Sequence, residues 1–570
     1  MQERIWHGHY DSGVPTSLDY DQGTLTAMLR RSIDGNGPRP AVTFINRTLT
    51  FAELGADVAR MANALRGLGV REGTTVGIMA PNLPQTVIAY HAALAAGAKV
   101  ALTNPLYTAP EIEHQWNDAQ VEVAFVADFL YASTVAKVRS KVNAKHFVIL
   151  SIPEYLKFPL NLLAPFKLRK QDPPAIAKVP DGPGIHRFKQ LLSGQSTSFP
   201  EISSTAEDIA VLQYTGGTTG RSKGAVLSHH NLTSNVQQLV AWINSDQPHD
   251  EVILTALPLF HVFGMTVAMN LALSMGAHQV LQPNPRDIPT VVKLIAKHRV
   301  SLFPGVPALF ANINKLPNIG DFDLSSVRVC VSGSAPLPSD VQTKFERLTG
   351  GKILEGFGMT ETSPVTHANP FHGTRKIGTI GIPLSDTDAK IVAVEDDAQV
   401  MPVGEAGQLL VRGPQVMQGY WQQPEASAEA LAGGWMHTGD LAVMDEQGYF
   451  KIVGRTKDMI SVGGLKVFPD EVDDVLHDHP SILEAATIGL PKPSGNEYVK
   501  SFVVLEAGKT MTAEEVITHC AERLAPYKVP SEVEFIPELP RSSVMKILRR
   551  ELRDRELGKQ RGDGQAGLPG

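Results

Sequence analysis

The stretch Gln213-Tyr-Thr-Gly-Gly-Thr-Thr-Gly-Arg-Ser-Lys-Gly224 holds four glycines, three threonines, two cations and no carboxylate. Such a set suits polyphosphate. Glycines let backbone amides come close, threonine hydroxyls donate, and Arg221 and Lys223 neutralise charge. It is not the usual nucleotide loop, which needs G-x-x-x-x-G-K-[ST] with the lysine opening a helix. Here Lys223 stands between Ser222 and Gly224. On its own a glycine-rich loop is more often a flexible hairpin. Three hydroxyls and a lysine between Thr215 and Lys223 move the balance toward a nucleotide.

The flanks say how such a loop is held. Residues 209–213 and 225–228 are both strand-like, which predicts a strand–loop–strand unit with a helix capped later, near Ser228 or Asn231. Upstream, Thr50-Phe-Ala-Glu53 reads as a capping box, and Leu54, Val58, Met61, Ala62, Leu65 and Leu68 then share one helical face. Strands are expected at 75–79, 99–104, 121–126 and 147–150, with a helix over 85–97. The alternation points to α/β layers around buried sheets. Residues 259–277 are apolar but interrupted by His261 and Asn270, so a buried helix fits better than a membrane span. The pattern lapses between 150 and 200. Tyr155–Gln171, apolar and basic with two prolines, is expected to be an ordinary packed loop, with a membrane-touching surface insertion as the alternative. Residues 558–570, rich in glycine, are expected to be a disordered tail.

Bulk properties narrow the class. A chain of 570 residues needs more than one core. With 43% apolar and 19% charged residues it has globular composition, and its net charge of −7 argues against nucleic acid. Two cysteines, Cys330 and Cys520, are too few for a disulfide framework and suit a reducing cytoplasm. The first residues lack the cationic and apolar pattern of a cleaved signal.

Six further stretches complete a pattern: Leu259-Phe-His-Val-Phe-Gly264, Gly333-Ser-Ala-Pro-Leu-Pro338, Gly356-Phe-Gly-Met-Thr-Glu-Thr362, Thr438-Gly-Asp440, Gly454-Arg-Thr-Lys-Asp-Met-Ile460 and Pro540-Arg-Ser-Ser-Val-Met-Lys546. Together and in this order they resemble the adenylate-forming superfamily of acyl-CoA synthetases, luciferases and adenylation domains. Residues 104–119, 284–289 and 434–460 are most similar to its bacterial long-chain fatty acid–CoA ligase branch. The likeness runs from about Ile5 to about Leu557. It implies a multidomain α/β fold: a large N-terminal region of α/β subdomains with buried sheets (1–454), a hinge (455–458) and a small mobile C-terminal α/β lid (459–557).

The resemblance also implies an activity. ATP activates a fatty carboxylate as acyl-AMP with release of pyrophosphate, and CoA then takes the acyl group and releases AMP. By matching position, Thr215, Thr218, Thr219 and Lys223 would hold the outer phosphates, while Gly216, Gly217 and Gly220 let the loop close. Gly333, Ser334 and Ala335, with Gly356, Phe357 and Gly358, would line the adenine. Thr360 would touch the α-phosphate and Glu361 would hold Mg²⁺, a hard cation suited to one carboxylate plus phosphates. Asp440 and Arg455 would hold the ribose. His261 would stand near the carboxylate, and Lys546 would bridge it to the α-phosphate. Lys457 would be the pivot that brings Gly463 and Gly464 beside the arm of CoA. The family's usual glycine before the catalytic lysine is Met545 here, which bears on the speed of the first step.

The acyl pocket is expected between residues 231–243, the run from Leu259, and residues 303–310. Alternatives are a ligase for another acid, medium-chain or aryl, a nucleotide- or acyl-binding pseudoenzyme, and a P-loop phosphotransferase. Peripheral contact with a membrane and a homodimer both stay open at this level.

Overall fold

The computed structural model describes residues 4–215, 222–462, 465–492, 497–542 and 547–565. Two large sheets carry the N-terminal region. One has eight strands in the order Gly419–Tyr420, Lys223–Ser228, Ile209–Thr215, Lys99–Leu102, Thr75–Met79, Val121–Ala127, His146–Leu150 and Ile185–Arg187. From Ile209–Thr215 onward it is parallel, and its first two strands join antiparallel. The other has nine strands and is parallel through its middle, where Val329–Ser332 lies between Leu302–Gly305 and Lys352–Gly358. The helix Pro84–Ala95 packs against strands of both sheets and is buried on every face. That explains its all-round apolar sequence.

The capping box forms as the spacing predicts: Glu53 N–H donates to Thr50 Oγ1 at 3.1 Å, and Thr50 N–H to Glu53 Oε2 at 2.8 Å. Ser228 caps the helix His229–Ile243, its Oγ accepting from Asn231 N at 3.1 Å. The apolar run after Leu259 is a buried helix, as expected, but wound wider than an α-helix over Gly264–Asn270. Gly264 sits so close to the preceding turn that a Cβ would lie 2.2 Å from the Pro258 carbonyl oxygen. Among the described residues no helix is long and apolar enough to cross a membrane.

A four-stranded antiparallel sheet, Asp388–Val392, Gly407–Arg412, Met436–Met444 and Phe450–Arg455, leads to the C-terminal part. There Ile482–Pro491, Glu497–Leu505 and Glu532–Phe535 form a sheet of their own, with two apolar clusters drawn from residues 460–557 alone. Two expectations fail. The last helix runs Arg549–Gln565, so its order passes residue 558. Lys559, paired with Glu556 at 2.7 Å and Glu534 at 3.4 Å, extends it where composition suggests a tail. Tyr155–Gln171 is not a packed loop: Leu160–Leu168 forms a helix with no buried residue.

Four histidines are withdrawn from water. Burial holds His91 and His367 at about 3 and His229 and His278 at about 4. An unfolded chain would protonate each near 6.5. Between these values the unfolded state binds protons that the folded state refuses. Their contribution is therefore complete above pH 6.5 and is lost as the pH falls toward the folded values. Each should remove about 1.4 kcal/mol of stability per pH unit across that window. We expect the calorimetric midpoint to drop steadily from pH 7 to pH 5; a flat profile would contradict the burial assignment.

Candidate active site

The glycine-rich loop springs from a hairpin whose last registered pair is Thr215 and Lys223. Gly216, Gly217, Thr218, Thr219 and Gly220 lie outside the described residues. The returning strand is anchored by Trp421 N–H donating to the Gly224 carbonyl at 2.7 Å and Gln418 N–H to that of Val226 at 3.0 Å. This brings Tyr420 under the loop's base. The Lys223 ammonium lies 5.1 Å from the centre of the Tyr420 ring, and the phenol donates to Glu361 Oε1 at 2.8 Å. Lysine, aromatic and carboxylate thus form one chain of contacts.

Glu361 sits in the helical turn Thr360–Thr362. The turn is clamped by Thr362 Oγ1, which accepts from Met359 N at 3.1 Å, and by Met417 N–H donating to the Glu361 carbonyl at 2.8 Å. Backbone crowds behind it: a Cβ on Gly358 would lie 2.0 Å from the Pro364 carbonyl oxygen, so only glycine fits. Glu361 is 7% exposed and forms no ion pair with a described lysine, arginine or histidine. Burial pushes its carboxyl above the usual range, opposed by the Tyr420 hydroxyl, and the charges of Arg455 and Asp440 also reach it. A buried carboxylate in no ion pair among the described residues fits a magnesium ion shared with phosphates.

Asp440 and Arg455 face each other across two paired strands, Nε to Oδ1 at 2.9 Å. Asp440 is buried, and the backbone before it is fixed by its own N–H donating to Thr438 Oγ1 at 3.1 Å. The two residues expected at the ribose thus form an ion pair, and both of their charges reach Glu361.

His261 and Ser334, far apart in sequence, line one pocket of about 650 Å³, open mouth included, with Phe263, Gly264, Val306 and Leu309. Ser334 holds a left-handed conformation, φ +73°. The neighbouring Gly333 lies beneath the Phe263 ring, which a Cβ would approach to 3.2 Å. Phe357 and Gly356 follow on the adjacent strand, the Phe357 ring 6.1 Å from that of His367. Ala335 is half-buried beside Ser334.

The expected wall from residues 231–243 does not line this pocket. That helix is committed to scaffolding. Asn231 Nδ2 donates to the carbonyls of Pro414 and Val416 at 2.8 Å each, Asn235 Nδ2 to that of Val365 at 2.7 Å, and Gln238 Nε2 to that of Ser385 at 2.7 Å. Its polar residues hold chain segments that would otherwise bury unsatisfied carbonyls.

Gly463, Gly464 and Lys546 lie outside the described residues. Lys457 occupies the turn after Arg455; burial and then the Arg455 charge lower its affinity for a proton.

A model of the AMP-binding enzyme family matches residues 29–421, and one of the AMP-binding enzyme C-terminal domain matches residues 471–546. The chain belongs to the AMP-binding enzyme family. It is 40% identical over 559 residues to a long-chain-fatty-acid–CoA ligase of Bacillus subtilis (strain 168), covering 98% of this chain and 99% of that one. A ligase of the same name from Escherichia coli O157:H7 is 39% identical over 563 residues, with the same coverage. Among solved structures, an anthranilate CoA ligase in complex with anthranoyl-AMP superposes with a TM-score of 0.84 at 28% identity, covering 96% of this chain and 99% of that one. As in that fold, this AMP-binding enzyme has a large N-terminal and a smaller C-terminal α/β part.

Sequence reasoning missed Tyr420. A lone tyrosine has no spacing signature, and its importance appears only when the edge strand places it between Lys223 and Glu361. Tyr420→Phe keeps the ring but leaves Glu361 without its described hydroxyl donor. We expect the Mg²⁺ concentration for half-maximal activity to rise about tenfold, in the range for lost partners of metal ligands. An unchanged magnesium titration would reduce Tyr420 to packing.

Proposed function

We propose that this AMP-binding enzyme is a long-chain fatty acid–CoA ligase. It converts ATP and a fatty acid to acyl-AMP and pyrophosphate, then passes the acyl group to CoA with release of AMP. The observation that carries the reading is an apolar pocket bearing His261 and Ser334, tied to the strand and turn that carry the Lys223–Tyr420–Glu361 contacts by Gln213 Nε2, which donates to the Phe260 carbonyl at 2.9 Å, and by Thr266 Oγ1, which donates to the Ser363 carbonyl at 2.7 Å.

The first step brings two anions together, so the protein must suppress their repulsion. In this reading Lys223, Thr215 and the loop residues 216–220 grip the phosphates that leave. Thr360 contacts the α-phosphate, and the ribose exchanges hydrogen bonds with Asp440 while Arg455 keeps that carboxylate in place. Phe357, Gly333, Ser334 and Ala335 border the base. Glu361 would hold Mg²⁺, which neutralises phosphate oxygens when bound. The alkyl chain lies along Phe263, Val306 and Leu309, and His261 stands where the pocket meets the phosphates.

The second step needs the lid to turn about Lys457, withdrawing Lys546 and presenting Gly463 and Gly464 to CoA. Weak attachment supports this motion. Lys466 meets Glu395 at 2.8 Å and Lys451 meets Asp474 at 2.9 Å, both in solvent, where ion pairs contribute little. Two buried free thiols, Cys330 and Cys520, suit a reducing cytoplasm.

Product analysis with ATP, Mg²⁺, CoA and palmitate tests the proposal. Equimolar AMP, pyrophosphate and palmitoyl-CoA are expected. ADP and phosphate would overturn the adenylation reading, and exclusive turnover of aryl or medium-chain acids would overturn the acyl class.

A further inference from the structure

We infer that the helix Leu160–Leu168, with its basic flanks, docks this protein on an anionic lipid bilayer. Five of the twelve exposed large apolar residues among those described fall within nine positions: Phe158, Leu160, Leu162, Leu163 and Phe166. The exposures of Phe158 and Phe166, 76% and 68%, are extreme for phenylalanine in water. From residue 157 to 175 no residue is buried.

The protrusion is nonetheless built. Its outgoing leg is fixed by Tyr155, buried with its hydroxyl on Asp57 Oδ2 at 2.6 Å. Asn46 clasps the Lys157 backbone from both sides, donating to its carbonyl at 3.2 Å and accepting from its N–H at 3.0 Å. The returning leg re-enters the fold at Ile176 and Val179, both buried. Between these anchors Ala164 touches the core, while Phe158, Leu160, Leu162, Leu163 and Phe166 are held out into solvent.

Charge chooses the occupant. Tyr155–Gln171 contains Lys157, Lys167, Arg169 and Lys170 and no carboxylate, on a chain whose net charge is −7. All four cations are exposed and none is ion-paired with a described residue. A two-fold contact between copies would press two such clusters together, which disfavours self-association. A helix of about 13 Å is too short to cross a bilayer but long enough to lie in its interface. There its leucines and phenylalanines enter the acyl boundary while the cations at either end reach lipid phosphates. Under the proposed function, docking would place the enzyme where its amphiphilic substrate dissolves; the docking itself does not depend on that reading.

Flotation of the full-length protein with vesicles tests the inference without any turnover. Strong association is expected with phosphatidylcholine–phosphatidylglycerol vesicles and at least tenfold weaker association with phosphatidylcholine alone, as several surface cations require. Substituting Lys157, Lys167, Arg169 and Lys170 by Gln should weaken partition about fivefold per cation. The triple variant Leu162→Ser, Leu163→Ser, Phe166→Ser should abolish it. Because every substituted side chain is exposed, both variants should keep the wild-type thermal midpoint, which separates lost docking from lost folding. Equal binding to neutral vesicles, no binding to either, or variants that still float would overturn the inference. So would a concentration-dependent dimer that the triple variant dissolves.

Discussion

Lys546→Ala should slow acyl-AMP formation about 100- to 1000-fold, the usual effect of losing one donor aimed at developing negative charge. Thioester formation from supplied acyl-AMP should stay close to the parent rate. The asymmetry follows from how the segment around Lys546 is mounted. Arg541 and Ile547, on either side of residues 543–546, form a bridge, Leu548 N–H donates to the Pro540 carbonyl at 2.9 Å, and Arg541 pairs with Glu484 of the C-terminal sheet. The residues flanking Lys546 are thus tied to that sheet. If the C-terminal part turns for the second half-reaction, as proposed, the ammonium should leave with it and no longer bear on rate. Labelled pyrophosphate exchange measures the first step, and thiol consumption with synthetic acyl-AMP measures the second. Equal losses in both would sink the alternation account. Met545→Gly offers the complementary test: a faster first step alone would show that the side chain restricts the lysine's approach.

How much of this was legible in the sequence depends on the range of the cause. The strand–loop–strand unit around Lys223 and the caps at Thr50 and Ser228 rest on residues within a few positions of one another, and they form as read. Family resemblance set Ser334 at the adenine and His261 near the carboxylate; that both line one pocket appears only in the fold, since no local pattern links them. Tyr420 could not be read, because its meaning comes from a two-residue edge strand added antiparallel to Lys223–Ser228. The helix His229–Ile243, expected among the acyl-pocket walls, does not line the pocket that holds His261 and Ser334. Its small and apolar residues suit a pocket wall, but Asn231, Asn235 and Gln238 are spent on carbonyls from residues 365–416, contacts invisible until the chain is folded. Tyr155–Gln171 shows the opposite failure. An apolar run predicts burial on average, and only the anchors at Tyr155 and Ile176 reveal that Phe158, Leu160, Leu162, Leu163 and Phe166 between them are left exposed.

Glu361→Gln should be the most damaging change on the phosphate side of the cleft. Glutamine keeps the shape and an oxygen that can accept from Tyr420, but it removes the negative charge proposed to hold Mg²⁺. Half-saturation by Mg²⁺ should rise at least 100-fold and turnover at saturating ATP should fall by a similar factor, since the phosphates lose their shared counter-ion. Stability should move the other way. The carboxylate is 7% exposed and ion-paired with no described cation, so a neutral amide is easier to bury and the metal-free midpoint should hold or rise. A variant that loses activity and stability together would point to a structural acid instead. The pair with Tyr420 sharpens the test. If the phenol acts through the carboxylate, Tyr420→Phe should cost almost nothing further once Glu361 is glutamine, and the two magnesium effects should fail to add. Additive effects would mean that Tyr420 serves Lys223 and the loop directly, through its ring 5.1 Å away, and that the carboxylate is held without it.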